Sequence, residues 1–303
     1  MSSVGFHEGE RDVQHRAGVE AEAARLEGML LPPRLDGGIT RFLAERTLAV
    51  LTARDGTGRL WTSPLQGEAG FLDAHGTTLT VHTAPQEDDP LQNMPAGQEA
   101  GLLTIDFAIR RRVRVNGTLT AGGRHTLQID ADQAFGNCPS YIQQRTLTPA
   151  PDHPAAASGE ASGDGLLTAG HERMIRQADT FFLGTTHPTR GTDTSHKGGN
   201  PGFVRVEDGV IWWPDYAGNN LFNSLGNIAV DPEAALLFVD FATGTLVQLS
   251  GVAQLEWVTP GSSGDDGGTG RRVRFHPQQI RTGRMPLRAQ AVNFSPHNPE
   301  LAA

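Results

Sequence analysis

The stretch from Pro214 to Pro232, PDYAGNNLFNSLGNIAVDP, carries residue types that can hold a phosphate. Two asparagines near its start are good N-cap residues, so we expect a short helix over Leu221–Ile228. The free backbone N–H groups and partial positive charge at a helix N-terminus favour an anion. Ordinary helix capping is the alternative interpretation. The residues predicted to form this phosphate seat are Asn219, Asn220, Asn223, Ser224 and Leu225.

A second stretch with chemical potential is DTSHKGGNPGFVRV, residues 193–206, where Ser195, His196 and Lys197 precede a glycine-rich turn and a predicted strand. Lys197 is the only lysine of the chain. A single ammonium group beside small residues suits a point-charge contact to a phosphate or a polarised carbonyl. A solvated loop lysine is the alternative. His196 is a candidate for proton movement because imidazole titrates near neutral pH.

An internal repeat shows which of these features are scaffold. Residues 102–117, LLTIDFAIRRRVRVNG, match residues 236–251, LLFVDFATGTLVQLSG, at seven of sixteen positions with a constant shift of 134. We infer one β-rich module used twice, with a period too long for a solenoid.

The two copies differ at the predicted phosphate seat. With the same shift, Asn223 and Ser224 correspond to Asp89 and Pro90, and Glu87-Asp88 lie just upstream. A phosphate carries about −1.5 to −2 charges at neutral pH, so these acidic residues would repel it. The sequence therefore predicts that the second copy binds a phosphorylated ligand and the first does not.

The elements that must position these residues are short strands separated by glycine-rich turns. Helices are predicted over residues 10–30, 38–45 and 171–178. We expect a first barrel over residues 1–148, a linker over 149–165 rich in Pro, Ala, Ser and Gly, and a second barrel over 166–303. Strands are predicted over residues 48–53, 62–66, 78–83, 101–107 and 111–121, then over 180–186, 203–206, 210–213, 234–241, 245–257 and 288–294.

Composition narrows the class of protein. The formal net charge of −9 disfavours nucleic-acid binding, and no segment approaches the length of an apolar membrane span. The N-terminus has no apolar signal region, and the single cysteine, Cys138, fits a reducing compartment. A cytoplasmic location without membrane or nucleic-acid partners is expected.

Three further sets of residues have a chemical and a structural interpretation. Arg110, Arg112 and Arg114 alternate along a predicted strand, which gives either a basic rim that contacts an anion or a solvated face. Cys138 and Tyr141, expected on one short helix, are either a reactive thiol and a stacking ring or simple packing groups. No metal site is expected, because the histidines of HEGERDVQH at 7–15 lack the spacing of a zinc motif.

Taken together, the stretches DTSHKGGNPGFVRV and WWPDYAGNNLFNSLGNI resemble the pyridoxamine 5′-phosphate oxidase-like, FMN-binding split-barrel proteins, in particular their tandem-domain branch predicted to bind flavin nucleotides. Residues 6–19, 135–143 and 285–299 are also similar to that branch. The resemblance implies a mainly β protein with short helices, built as two tandem six-stranded antiparallel split β-barrels. It further implies that the barrels form a pseudo-dimer, able to dimerise again, with FMN at their interface.

The resemblance also implies a function. In the oxidases a basic pair before a helix grips the FMN phosphate, and the matching positions here are the neutral Asn223 and Ser224. Lys197, Arg205 or Arg288 would then supply charge from other elements. The expected function is that of an FMN-dependent oxidoreductase acting on a small molecule or a nicotinamide donor, with no catalytic residue assigned. The alternatives are a flavin carrier or sensor, a barrel that binds haem or a deazaflavin, and a scaffold without ligand.

Overall fold

The computed structural model describes residues 5–123, 125–150, 165–289 and 291–301. The chain forms two seven-stranded antiparallel sheets, one in each half, and a small two-stranded sheet. The first sheet contains β1 (Leu48–Arg54), β2 (Leu60–Gln66), β3 (Leu72–His75), β4 (Thr78–Val81), β5 (Gln98–Asp106), β6 (Arg111–Gly122) and β7 (Leu127–Gly136). The second contains β9 (Thr180–His187), β10 (Gly191–Gly198), β11 (Arg205–Glu207), β12 (Val210–Pro214), β13 (Glu233–Asp240), β14 (Thr245–Trp257) and β15 (Arg271–Arg284). The small sheet pairs β8 (Thr148–Pro149) with β16 (Leu287–Arg288).

The two large sheets have the same strand order. It is β2-β1-β5-β6-β7-β4-β3 in the first half and β10-β9-β13-β14-β15-β12-β11 in the second. The sequence repeat forms the hairpins β5–β6 and β13–β14. The aspartate that both copies share accepts a backbone N–H group in the turn of each hairpin. Asp106 Oδ1 accepts from the backbone of Ala108 at 3.0 Å, and Asp240 Oδ1 accepts from that of Ala242 at 2.9 Å. The predicted duplication and mainly β class are confirmed.

Each sheet has seven strands, one more than the six expected per barrel. Strand β3 has too few residues to show a recognisable alternation of apolar and polar side chains. Strands β7 and β15 follow polar turns and were not predicted from the sequence. The stretch expected as a loop before a strand, Ser195 to Lys197, lies on strand β10 itself, paired with β9. Its side chains are therefore held by a sheet and not by a loop.

The predicted lead-in helix divides into three pieces, and its first piece packs on the second half. These are α1 (Glu8–Ala17), α2 (Glu20–Ala24) and a 3-10 turn (Glu27–Leu30). Gly18 ends α1 in the left-handed conformation, at φ 69°. Val13 of α1 is buried in the core of the second half, although the sequence placed residues 1–148 in the first barrel. Most of the predicted linker, residues 151–164, lies outside the described residues, so the boundary stays a prediction.

The described residues contain three more α-helices: α3 (Gly37–Ala44), α4 (Ala169–Gln177) and α5 (Asn223–Val230). The first two match the helices predicted over 38–45 and 171–178 within two residues. None of the helices in the described segments is both long and apolar enough to cross a bilayer.

The halves pack against each other through a shared core. Val50 and Leu103 of the first half are buried with Phe182 and Leu237 of the second. The backbones approach so closely that a Cβ atom on Gly184 would lie 2.4 Å from the Thr52 side chain. Burial of these apolar side chains stabilises the pairing of the halves, so a cleft between them has fixed walls.

Candidate functional site

A cavity of about 120 Å³ lies where β6 of the first half faces β10 and α5 of the second. The first half contributes residues of β6 and of the turn after β7. The predicted site residues that line the cavity are Ser195, His196, Lys197, Asn219, Asn220, Asn223, Ser224 and Leu225. The structure thus brings together two stretches that the sequence identified separately.

The helix at this cavity begins two residues later than predicted, at Asn223 instead of Leu221. Its N-cap residue is Phe222, in the left-handed conformation at φ 59° and without a side-chain cap. The prediction that Asn219 and Asn220 cap the helix was wrong. Leu221 is fully buried in a separate apolar cluster. This burial holds Leu221 outside the helix, which therefore starts two residues later.

Buried polar groups form a network at the inner end of the cavity. Arg114 is paired with Asp193, at 2.9 Å between Nη1 and Oδ1, and also donates to Ser195 Oγ. Ser224 Oγ lies 2.8 Å from Ser195 Oγ and 3.1 Å from Asp193 Oδ2. Because Arg114 belongs to the first half and the other residues to the second, the network depends on both.

Asn223 takes part in this network through both ends of its amide. Its Oδ1 accepts from Arg114 at 3.1 Å, and its Nδ2 donates to Glu10 of α1 at 2.6 Å. The amide that was expected to contact a phosphate is thus already hydrogen-bonded. The Ser224 hydroxyl is also hydrogen-bonded, so the remaining donors of this helical turn are its first backbone N–H groups.

Arg112 is the cation of this cavity that has no anionic partner. It donates only to backbone carbonyls, at 2.9 Å to His196 and 3.1 Å to Cys138. No ion pair joins it to a carboxylate in the described segments, and its shielded Nε has no hydrogen-bond partner. Burial, together with repulsion by Arg114, lowers the pKa of Arg112 to about 10, so it stays charged at neutral pH. A shielded guanidinium of this kind is stabilised by an anion.

Four other shielded polar atoms around the cavity also lack hydrogen-bond partners. They are His196 Nε2, Trp213 Nε1, Tyr216 Oη and Asn137 Nδ2. Burial, with repulsion by Arg112, lowers the pKa of His196 well below its ordinary value, so its ring is neutral. Native proteins leave few buried polar groups unpaired. Their concentration around one cavity indicates a polar ligand rich in acceptor atoms.

The charges around the cavity leave an excess of positive charge. Asp215 lies between Lys197 Nζ at 3.5 Å and Arg271 Nε at 3.0 Å. Arg112, Arg114, Lys197 and Arg271 therefore face two carboxylates, those of Asp193 and Asp215. With the Glu10 carboxylate that Asn223 also contacts, these seven groups carry one net positive charge when all are ionised, which favours an anion.

The outer end of the cavity is bridged by contacts between the halves. Tyr141 Oη donates to the backbone of Ala217 at 2.8 Å, and its ring lies 5.1 Å from that of Tyr216. Asn219 Nδ2 donates to Asn137 Oδ1 at 2.8 Å. Cys138 is exposed beside this bridge. The short helix expected to carry Cys138 and Tyr141 was wrong, because these residues lie in a turn.

Three arginines proposed from the sequence lie outside the cavity lining. Arg110 precedes β6, at φ 51°, and donates to the backbone of Ile142 at 2.9 Å. Arg205 is paired with Asp266 through two contacts of 2.8 and 2.9 Å. Arg288 lies on β16, 3.5 Å from the backbone oxygen of Ala242. The basic rim at the cavity therefore consists of Arg112 and Arg114, and the interpretation of a solvated strand face was wrong for these two.

His7, Glu8 and His187 bring possible metal ligands within 4.8 Å of one another. The Nδ1 atoms of both rings accept backbone N–H groups, from Gly9 and Thr189 at 3.2 Å each. Each ring consequently carries an N–H at Nε2, which donates to Asn227 from His7 and to Glu8 from His187. These hydrogen bonds attach α1 to the second half.

The first half contains the counterpart of the network around Arg114 and Ser195, built from different side chains. Ser63 of β2 pairs with Leu51 of β1, just as Ser195 of β10 pairs with Leu183 of β9. Gln248 occupies the position on β14 that Arg114 occupies on β6. Asp89, the counterpart of Asn223, accepts from Ser63 at 2.6 Å and from Gln248 at 3.0 Å. A carboxylate thus fills the place where the second half has its helix N-terminus.

Asp193 and Glu10 are site residues that the sequence analysis missed. Asp193 is the first residue of the motif that supplied Ser195 and Lys197, and alternation along β10 places Asp193, Ser195 and Lys197 on one face. Glu10 follows FHEG near the N-terminus. No local pattern indicates that it reaches a helix more than two hundred residues away.

No family model and no curated protein matches this chain. Several solved structures are similar to it over less than half its length. A provisionally assigned pyridoxamine 5′-phosphate oxidase of Lactobacillus delbrueckii is 13% identical, with a TM-score of 0.33, covering 40% of this chain and 98% of the other. An FAD-binding protein of Mycobacterium smegmatis is 16% identical, with a TM-score of 0.26, covering 40% and 98%.

The haem storage protein HutZ of Vibrio cholerae is also similar, at 11% identity and a TM-score of 0.28, covering 44% of this chain and 99% of the other. Each of these three proteins is thus about as long as one half of this chain. At such identities and TM-scores the likeness says nothing about ligand or activity.

Proposed function

We propose that this protein binds flavin mononucleotide in the cavity between its halves and acts as an oxidoreductase on a small molecule. The observation that supports this most is Arg112, a shielded cation without an anionic partner in the described part of the chain. The excess positive charge favours an anion such as a phosphate, and the unpaired donors favour a ligand with many acceptors. The sequence resemblance to FMN-binding split barrels supports the same ligand.

The residues present fit the two polar parts of FMN. Arg112, Lys197, Ser195 and Ser224 would hold the phosphate, helped by the first N–H groups of α5. Tyr216 and Asn137, which are partly exposed, carry unpaired polar atoms that suit the polar edge of the flavin ring. When bound, the flavin supplies the electron-transfer chemistry, and the chain orients it and limits solvent access.

His196 lies between Ser195 and Lys197 on β10, so its side chain projects from the opposite face of the strand. Its imidazole is 5% exposed and packs against Phe107 and Phe182, with ring centroids 6.2 and 5.9 Å away. The imidazole therefore belongs to the wall of the cavity and is not proposed to contact the ligand or a metal.

The absorbance spectrum of the purified protein tests the proposal. Bands near ~370 and ~450 nm with one released FMN per chain support it, whereas a Soret band would favour haem. Reduction of the bound flavin by NADH or NADPH and reoxidation by an acceptor distinguish an enzyme from a carrier. An apoprotein that does not bind added FMN would contradict the proposal.

A further inference from the structure

We propose that helix α1 closes the inner end of this cavity, so that the site accepts a ligand ending in a phosphate monoester and excludes one whose phosphate continues into a second group. FMN would be admitted and FAD excluded. This inference rests on the proposed function for the identity of the ligand and on the geometry of α1 for its selectivity.

Exposure decreases steadily from one end of the cavity to the other. At the outer end Cys138 and Ala217 are exposed. The Lys197 side chain, two residues from Ser195 on the same face of β10, is 22% exposed. At the inner end Ser195 and Ser224 are 6% exposed. The ligand must therefore enter past Cys138 and place its leading group against the two serines.

Helix α1 lies directly behind that inner end. Gly9 and Gly226 let the backbones of α1 and α5 touch, since a Cβ atom on Gly9 would lie 2.1 Å from the Gly226 carbonyl oxygen. Between Glu10, Asp193 and Asn223 the remaining void is about 20 Å³. Such a void holds about one water molecule, so a nucleotide tail has no passage.

Hydrogen bonds also hold the wall in place. Glu10 is 2% exposed, and its carboxylate accepts from Asn223 at 2.6 Å and from the backbone of His7 at 2.9 Å. Arg190 lines the same void as Glu10 and Asp193, and Asp193 is paired with Arg114. The wall therefore excludes a longer ligand by its packing and not by its charge.

Equilibrium binding of FMN, FAD and riboflavin to the full chain at pH 8 tests this inference. We expect FMN to bind at least a hundredfold more tightly than FAD, because only FMN ends at its phosphate, and more tightly than riboflavin. Glu10→Ala should reduce the FMN-to-FAD ratio at least fivefold by opening the wall. Asp12→Ala, on the exposed side of the same helix, should leave the ratio unchanged.

Equal affinity for FMN and FAD in the wild-type protein would overturn the inference while leaving the proposed function intact. If no flavin binds, the proposed function fails. Thermal shift with phenyl phosphate, a monoester, and with diphenyl phosphate, a diester, then tests the closed inner end alone. Stabilisation by the monoester only would support a closed inner end. Stabilisation by both or by neither would overturn it. These wild-type measurements decide the matter even if Glu10→Ala does not fold.

Discussion

Arg114 on β6 and Gln248 on β14 occupy equivalent positions in the two halves, and each crosses the interface to a serine of the other half. Arg114 donates to Ser195, and Gln248 Nε2 donates to Ser63 at 2.9 Å. Only the arginine brings a positive charge. The two ends of the interface therefore have one geometry and opposite electrostatics, which leads us to expect one ligand per chain.

Arg112→Gln should weaken FMN binding roughly tenfold to a hundredfold, because a charged hydrogen bond to phosphate contributes about 1.5–3 kcal/mol. Riboflavin, which lacks the phosphate, should bind equally well to both proteins. Fluorescence titration measures both affinities. The neighbouring exposed Arg111→Gln is the matched control. An equal loss for FMN and riboflavin would show that Arg112 does not contact the phosphate.

Ser224→Asp should weaken FMN binding by about 1–3 kcal/mol, the repulsion expected at roughly 5 Å for an effective dielectric of 20–80. The new carboxylate would lie next to Asp193 at the inner end of the cavity. Ser224→Asn, which adds similar bulk without charge, separates electrostatic from steric effects. If both variants lose the same affinity in titration, the phosphate lies elsewhere.

Asp89→Ala should lower the free energy of unfolding by about 2–4 kcal/mol, since Ser63, Gln248 and the Leu91 backbone would lose their acceptor. The FMN content per chain should not change. Urea denaturation and flavin absorbance measure the two quantities. Asp88→Ala, at an exposed neighbour, should affect neither. Loss of FMN from Asp89→Ala would place the ligand in the first half.

Glu10 should make stability depend on pH. Burial raises its pKa to about 7, from an ordinary value of 4.5. A raised carboxyl pKa favours the folded state below pH 4.5, and this contribution is lost as the pH rises to 7. Relative to Glu10→Gln, the wild-type protein should therefore lose about 3 kcal/mol between pH 4.5 and 7.5. Urea titrations of both proteins measure this difference. If the pKa of Glu10 were near 4.5 in the folded protein, the free energy of unfolding would change with pH in the same way for both.

Gly9→Ala should destabilise the contact between α1 and α5, because its Cβ atom would overlap the Gly226 carbonyl. We expect a loss of about 1–3 kcal/mol in the free energy of unfolding, typical of overpacking. FMN affinity should fall with it, as α5 moves. Gly28→Ala, where nothing lies within 4 Å, is the control. Unchanged stability would mean that α1 is not fixed on α5.

The sequence predicted the parts of the fold that depend on local patterns. The repeat around Asp106 and Asp240 identified two equivalent β-rich segments, and the residue types of the 193–206 and 214–232 stretches identified both as candidate ligand contacts. The structure brings the two clusters to one cavity, while their role in binding a ligand stays a prediction.

The features that the sequence did not predict depend on contacts between distant segments. The start of α5 is fixed by burial of Leu221 against residues far away in the chain. The position of Glu10 depends on α1 crossing to the other half, where Gly9 meets Gly226. Helix propensity and alternation describe neighbours in the chain, so neither could indicate these contacts.

The close approach of the halves at Gly184 has a consequence for how this chain can vary. A homodimer of the second half alone would offer its own Gln248 to the serine at position 195, and its site would lack both guanidinium groups. The site therefore needs residues of both halves, and their covalent linkage keeps the two contributions in a fixed one-to-one ratio.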